Sequence, residues 1–197
     1  MTVYCATGNP GKLHEFRLAA SQHDGLQVET LPGLNAIAPC EETGATFEAN
    51  AILKAEYYGA HVNGLLFADD SGLEVDALDG APGVYSARFA GPDATDATNN
   101  QLLLEKLRGL GRRSARFVCV IALVDRGRLL QTFRGTVEGQ ILEGPRGPNG
   151  FGYDPLFYYP PFGCSFGEVA PERKLTVSHR GAALRALFAR LSATRVC

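Results

Sequence analysis

Apolar positions along this chain fall into short runs whose period changes from segment to segment. Residues 2–6 (TVYCA) form a strand-like run, and after TGNPGK at 7–12 the residues Leu13, Phe16, Leu18 and Ala19 take helical spacing to about residue 22. Pro10 suits the first turn of that helix, where a missing N–H costs nothing. A second helix is predicted from Thr46, whose hydroxyl can cap it, with Ala51, Leu53, Ala55 and Tyr58 following. Residues 65–69 form a short apolar run ending in two acids, and 72–77 read as another strand. Residues 96–107 are Leu-rich and helical by pattern, closed by Gly109. RFVCVIALVD at 116–125 is β-branched and apolar on both faces, the mark of a central strand. Residues 128–139 alternate well enough to pair with it as a hairpin through Arg126-Gly127. A Gly- and Pro-rich loop at 144–154 follows, and 181–191 close the chain as an amphipathic helix. Early alternation of strands and helices with a late hairpin predicts an α/β fold with a mixed sheet. No repeat or linker interrupts it, so 1–197 read as one domain.

Composition narrows the choice of partner. With 197 residues, 45% hydrophobic and 20% charged, the chain can bury a sizeable core. Its net charge of −2 lacks the basic excess of a protein that tracks a nucleic-acid backbone. Any bound polyanion is therefore expected to be small and held by a few local cations. The five cysteines, Cys5, Cys40, Cys119, Cys164 and Cys197, are odd in number and form no CxxC pair. That pattern predicts reduced thiols and neither a disulfide framework nor a zinc site. Met1 runs straight into the first strand with no secretory leader, and the apolar runs fall short of the ~20 residues that cross a bilayer. A cytoplasmic protein with no membrane partner is expected.

Four segments carry candidate chemistry. Thr7-Gly8-Asn9-Pro10-Gly11-Lys12 joins a strand to a helix, where backbone N–H groups and the positive dipole end can face an anion and Lys12 adds a full charge. It is not a Walker loop, because only two residues separate Gly8 from Gly11 and Leu13 replaces Ser/Thr; nor is it a dinucleotide fingerprint, because His14 stands where a small residue is needed. Ala68-Asp69-Asp70-Ser71-Gly72 ends an apolar strand, and alternation sends only one Asp into a given site. Carboxylates there suit magnesium, with Glu41-Glu42 as a possible further source, although such an acidic pair is commonly just solvated. Gly150-Phe151-Gly152-Tyr153-Asp154-Pro155 leaves an aromatic ring unobstructed between glycines, suited to stacking on a flat base or, equally, to a tight turn. Lys174 and Ser178-His179-Arg180-Gly181 place cations near the start of the last helix, against its dipole, so an anion or carbonyl is expected there. Together these are the parts needed to hold a nucleoside triphosphate.

In the order ATGNPGK, EETGATF with Asn50-Ala51 and Lys54-Ala55, ADDSGLEVDAL, PGVYSARFAG, GFGYDP and SHRG, the chain resembles the inosine triphosphate pyrophosphatase family, which acts on non-canonical purine nucleotides. The resemblance runs from Val3 to about Leu191. It implies two lobes around a long twisted mixed sheet with flanking helices, the nucleotide in a cleft between the lobes. It implies Mg²⁺-dependent cleavage of ITP, dITP or XTP to monophosphate and pyrophosphate, and a homodimer. By motif, Thr7, Gly8, Asn9, Pro10, Gly11 and Lys12 would hold the triphosphate, with Ser71 also touching substrate. Asp70 would activate water and bind the metal, with Glu41 as second metal ligand. Phe151 would stack on the base, Gly152, Tyr153 and Asp154 would line its pocket, Lys174 would reach phosphate or base, and His179 and Arg180 would read the purine edge. One position departs from the family pattern: Ala49 stands where relatives carry an acid, and Glu48, about 100° round the helix, is a poor substitute. The nearest rival is a sister enzyme class acting on modified pyrimidine or methylated nucleotides, against which GFGYDP and SHRG argue; a nucleotide sensor without hydrolysis is disfavoured by Asp69-Asp70 and Lys12.

Overall fold

The structure, a computed structural model, describes residues 1–193; Cys197 lies outside the described residues. Its seven strands make one mixed sheet in the order β2-β1-β3-β4-β5-β6-β7, flanked by helices, as expected of an α/β chain. The strands are β1 (Thr2–Cys5), β2 (Gln27–Thr30), β3 (Leu65–Val75), β4 (Ser114–Asp125), β5 (Arg128–Ile141), β6 (Phe157–Tyr159) and β7 (Cys164–Ser165). The helices are α1 (Pro10–Ala20), α2 (Phe47–Gly59), α3 (Asp96–Lys106), α4 (Pro171–Val177) and α5 (His179–Ala193). Among the described residues no helix is long and apolar enough to cross a membrane.

Chain contacts divide these elements into two compact units: residues 1–70, 119–135 and from 179 onward in the first, 71–118 and 136–178 in the second. In the first unit β1 runs parallel to β2 and to β3, with Val3 opposite Val28 and Tyr4 opposite Leu66. Val3, Cys5, Phe16, Ala51, Phe67, Ile121, Leu187 and Phe188 are buried here, and the rings of Phe16 and Phe67 meet edge to face at 5.0 Å. Each large apolar side chain so buried contributes roughly 1.5–3 kcal/mol. The hairpin from β4 to β5 turns at Arg126 and Gly127, both at positive φ (49° and 76°), the backbone that matches strand twist in a two-residue turn. Near the other end of that segment a Cβ on Gly135 would lie 2.1 Å from the carbonyl oxygen of His179, so the first residue of α5 rests directly on β5.

The second unit is aromatic at its centre. Phe117 and Phe157 have ring centroids 4.5 Å apart and Phe157 and Phe166 5.1 Å, packed with Leu73, Leu103, Leu107 and Ile141. β5, β6 and β7 pair antiparallel, with Gln140 opposite Tyr158 and Tyr158 opposite Ser165. α3 starts in a reciprocal cap between Thr95 and Thr98.

Three expectations need correction. The apolar run at 65–69 and the strand at 72–77 are one continuous strand, because Asp69 and Asp70 are paired to cations and can stay buried in extended backbone. The last helix begins at His179, two residues before the glycine that suggested its start. Lys174 is not at that helix's N-terminus but in the last turn of the separate helix α4, where a cation favours the dipole. β2, β6, β7 and α4 are too short to give a periodic signal.

Candidate active site

In the first unit the loop after β1 is shaped by its own side chains. The Asn9 carboxamide oxygen accepts from the Lys12 N–H at 3.0 Å, capping α1, while the Asn9 N–H donates to Thr7 Oγ1 at 3.2 Å. Pro10 takes the first helical position. This geometry turns Lys12 toward β3, where its Nζ lies 2.9 Å from Asp69 Oδ2. Gly8 is exposed, and a Cβ there would meet no atom within 4 Å, so packing does not demand a glycine.

Asp69 and Asp70 differ in surroundings because successive side chains leave a strand on opposite faces. Asp69 faces Lys12 of α1, Arg180 of α5 (Nε at 3.7 Å) and the Cys119 thiol, which donates at 3.9 Å. Arg180 is also paired with Glu15 of α1, and all three side chains of this chain of charge are almost wholly buried. Burial alone would raise the Asp69 carboxyl, but Lys12, Arg180 and Lys54 outweigh it and hold it at about 2. Burial would likewise lower Arg180, yet Glu15 and Asp69 outweigh it and raise it, so the guanidinium stays charged. The same cluster pushes the Cys5 and Cys119 thiols up to about 12, burial first and the Asp69 charge second.

Asp70 faces α2. Asn50 Nδ2 donates to its Oδ2 at 3.2 Å and Lys54 Nζ to its Oδ1 at 3.0 Å. Asn50 and Lys54 are four residues apart on a helix, hence on one face. Lys54 also reaches Glu42 Oε1 at 3.0 Å, so two carboxylates converge on one cation. Asn50 Oδ1 accepts from the Gly44 N–H at 2.7 Å, and this approach leaves no room for a Cβ on Gly44. One asparagine thereby ties the EETG loop to the acid of β3. Burial raises the Asp70 carboxyl against the pull of Lys54, which makes it a stronger base than a surface aspartate. Glu41 is exposed, and Glu48 accepts from Thr132 Oγ1 at 2.6 Å rather than turning toward Asp70.

The donor set suits magnesium. Asp70 presents hard carboxylate oxygens beside the EETG loop, and the exposed Glu41 of that loop can supply another, while Glu42 is engaged by Lys54. Magnesium needs only one or two carboxylates when phosphates and waters complete its shell.

The second unit holds the other motif. Gly150 at φ +79° bends the chain so closely over Asp154 that a Cβ would sit 2.3 Å from Asp154 Oδ2. That oxygen accepts from the Phe151 N–H at 2.9 Å and from Lys174 Nζ at 2.5 Å. Lys174 lies 5.0 Å from the Phe151 ring centroid, a cation under the aromatic face. Asp154 and Lys174 are buried, Phe151 and Gly152 only partly. Tyr153 is buried and donates from its hydroxyl to Ser86 O at 2.8 Å, so its phenol is committed to the scaffold.

Thr7, Gly8, Asn9, Pro10, Gly11, Lys12, Asp70, Glu41, His179 and Arg180 therefore lie in the first unit, and Ser71, Phe151, Gly152, Tyr153, Asp154 and Lys174 in the second. Not anticipated as site residues were Glu15, Asn50 and Lys54, each in contact with an anticipated one; Glu42, read with Glu41 as a source of a metal ligand, pairs with Lys54. The signal for two of them was available in the i, i+4 spacing of Asn50 and Lys54.

The sequence model of the Ham1 family matches residues 3–190. A dITP/XTP pyrophosphatase of Exiguobacterium sp. is 51% identical over 97% of this chain and 97% of its own, and one of Acidobacterium capsulatum is 48% identical over 97% and 98%. The solved structure of the Staphylococcus aureus Ham1 protein superposes with a TM-score of 0.86 at 41% identity, covering 98% of this chain and 100% of that one.

Proposed function

The chain belongs to the Ham1 family, and from that premise we propose that it is a dITP/XTP pyrophosphatase, cleaving non-canonical purine nucleoside triphosphates (ITP, dITP, XTP) to monophosphate and pyrophosphate. The observation that carries the reading is the buried charge cluster of the first unit, where Lys12, Lys54 and Arg180 gather around two adjacent carboxylates. Such a cluster suits a polyanion with a divalent cation. Thr7–Lys12 would hold the triphosphate, the exposed Gly8 letting phosphate oxygens come close to the backbone, and Ser71 would add a hydroxyl.

Asp70, lifted by burial and steadied by Asn50 and Lys54, accepts the proton of the attacking water. Mg²⁺, when bound, neutralises charge developing on the phosphoryl oxygens. Asp70 and, by motif, Glu41 would hold it, while Glu42 balances Lys54. Replacing Glu41 by Gln should raise the Mg²⁺ concentration giving half-maximal rate, leaving the thermal midpoint unchanged.

The second unit supplies the parts for a flat base. Phe151 stacks on it, backed by Lys174 and Asp154, beside Gly152 and Tyr153. Arg180 and His179 read the purine edge: a 6-oxo group accepts their hydrogen bonds, whereas the 6-amino group of adenine leaves a buried donor facing a donor. Guanine shares the 6-oxo group, so its exclusion rests on other contacts. We assign residues 1–197 to one functional domain, a cytoplasmic homodimer with no nucleic-acid or membrane partner.

Incubation with Mg²⁺ and, separately, dITP, ITP, XTP, ATP, GTP and CTP, with products separated by ion exchange, tests the assignment. Pyrophosphate and IMP or XMP are expected, with ATP left nearly intact. Orthophosphate release, or ATP turnover equal to ITP turnover, would overturn it.

A further inference from the structure

The loop that presents Phe151 is gripped from outside its own motif. Its Phe151 N–H is held within the motif by Asp154. The next peptide is held by α3: the Gly152 N–H donates to Asp96 Oδ2 at 2.6 Å, and the Gly152 carbonyl accepts from Asn100 Nδ2 at 3.0 Å. Asp96 and Asn100 are four residues apart, on one face of α3, so both polar groups of a single residue are clamped by one helix. Gly152 needs such a clamp. It sits at φ +62°, and a Cβ there would meet no atom within 4 Å, so packing alone does not hold its backbone. The Asn100 carboxamide is oriented by this contact at some cost, since its Oδ1 is buried with no hydrogen-bond partner among the described residues.

We propose that Asp96 and Asn100 are positioning residues for the base platform: by fixing both hydrogen-bonding groups of Gly152 they set the direction in which the neighbouring Phe151 ring is offered to the purine. The inference rests on the reading of Phe151 as the stacking ring. Neither residue touches substrate. Their effect reaches the base through one peptide unit, and among the described residues the Thr7–Lys12 loop read as the triphosphate holder has no contact with them.

Steady-state kinetics with dITP, together with inhibition by inorganic tripolyphosphate, which lacks a base, tests the proposal. Asp96→Ala and Asn100→Ala should each raise KM for dITP about tenfold with kcat within about threefold, as expected for lost uniform binding. Asp96→Asn, whose amide oxygen still accepts from the Gly152 N–H, should restore KM. Inhibition by tripolyphosphate should stay at the wild-type level in all three. Added to Phe151→Ala, Asp96→Ala should have no further effect, because both act on one interaction. Wild-type KM in Asp96→Ala and Asn100→Ala, with KM raised in Phe151→Ala, would overturn the clamp and leave the platform standing. Wild-type KM in Phe151→Ala would overturn both. Equal weakening of dITP and tripolyphosphate would mean general damage and would also overturn it.

Discussion

Asp69 and Asp70 are neighbours of identical chemistry with opposite assignments. The first is wrapped by Lys12, Arg180 and Cys119 and held ionised at about 2; the second faces Asn50 and Lys54 and is lifted by burial. Their replacements should therefore fail differently. Asp70→Asn should keep the thermal midpoint and lower kcat by about 10²–10⁴-fold, the usual worth of a general base. Asp69→Asn should instead cost stability, on the order of 3 kcal/mol, because it removes one of the two carboxylates paired with the buried Arg180. Urea titration of both variants separates the two outcomes. The charge of Asp69 also bears on the thiols. Burial first and the Asp69 charge second push Cys5 and Cys119 up to about 12, so both stay thiols at pH 8. Ellman's reagent should leave both unreacted in the native protein and titrate them in guanidinium.

Elements with a strong period are legible in the sequence. Strand β4, helices α1, α2 and α3, and the hairpin at Arg126-Gly127 all stand where the apolar spacing puts them. Strand β3 was legible only in halves, because two adjacent aspartates look like a strand end until Lys12 and Lys54 arrive from distant helices to neutralise them. Lys54 and Glu15 were overlooked for the same reason: ion pairing across long sequence separations has no local signature. Gly135 is another such case, an unremarkable glycine in an exposed-looking strand. The His179 carbonyl lies where its Cβ would be. Gly135→Ala should push α5 off the sheet, costing about 3 kcal/mol at the upper end of overpacking. It should also weaken dITP binding by displacing Arg180, while Thr136→Ala, one residue on, should do neither. Calorimetry and KM for dITP read the two effects.

At the scale of the molecule, the mixed sheet with flanking helices follows the alternation of strand and helix periods, and the short strands β6 and β7 extend it antiparallel beyond the late hairpin. The division into two units was not readable from the pattern, because each unit is assembled from separated stretches of chain and β3, β4 and β5 each belong partly to both. That interleaving has a consequence for biosynthesis. The unit that begins first on the ribosome is completed last, since it needs the helix starting at His179, whereas every residue of the other unit has been made by Ser178. Until that helix emerges, Glu15 has no Arg180 to meet and Asp69 lacks one of its cations. A nascent chain stalled with Ser178 just outside the exit tunnel should therefore be cut by protease within 1–70 and 119–135 while 71–118 and 136–178 resist. Full protection of 1–70 at that length would contradict this order of assembly.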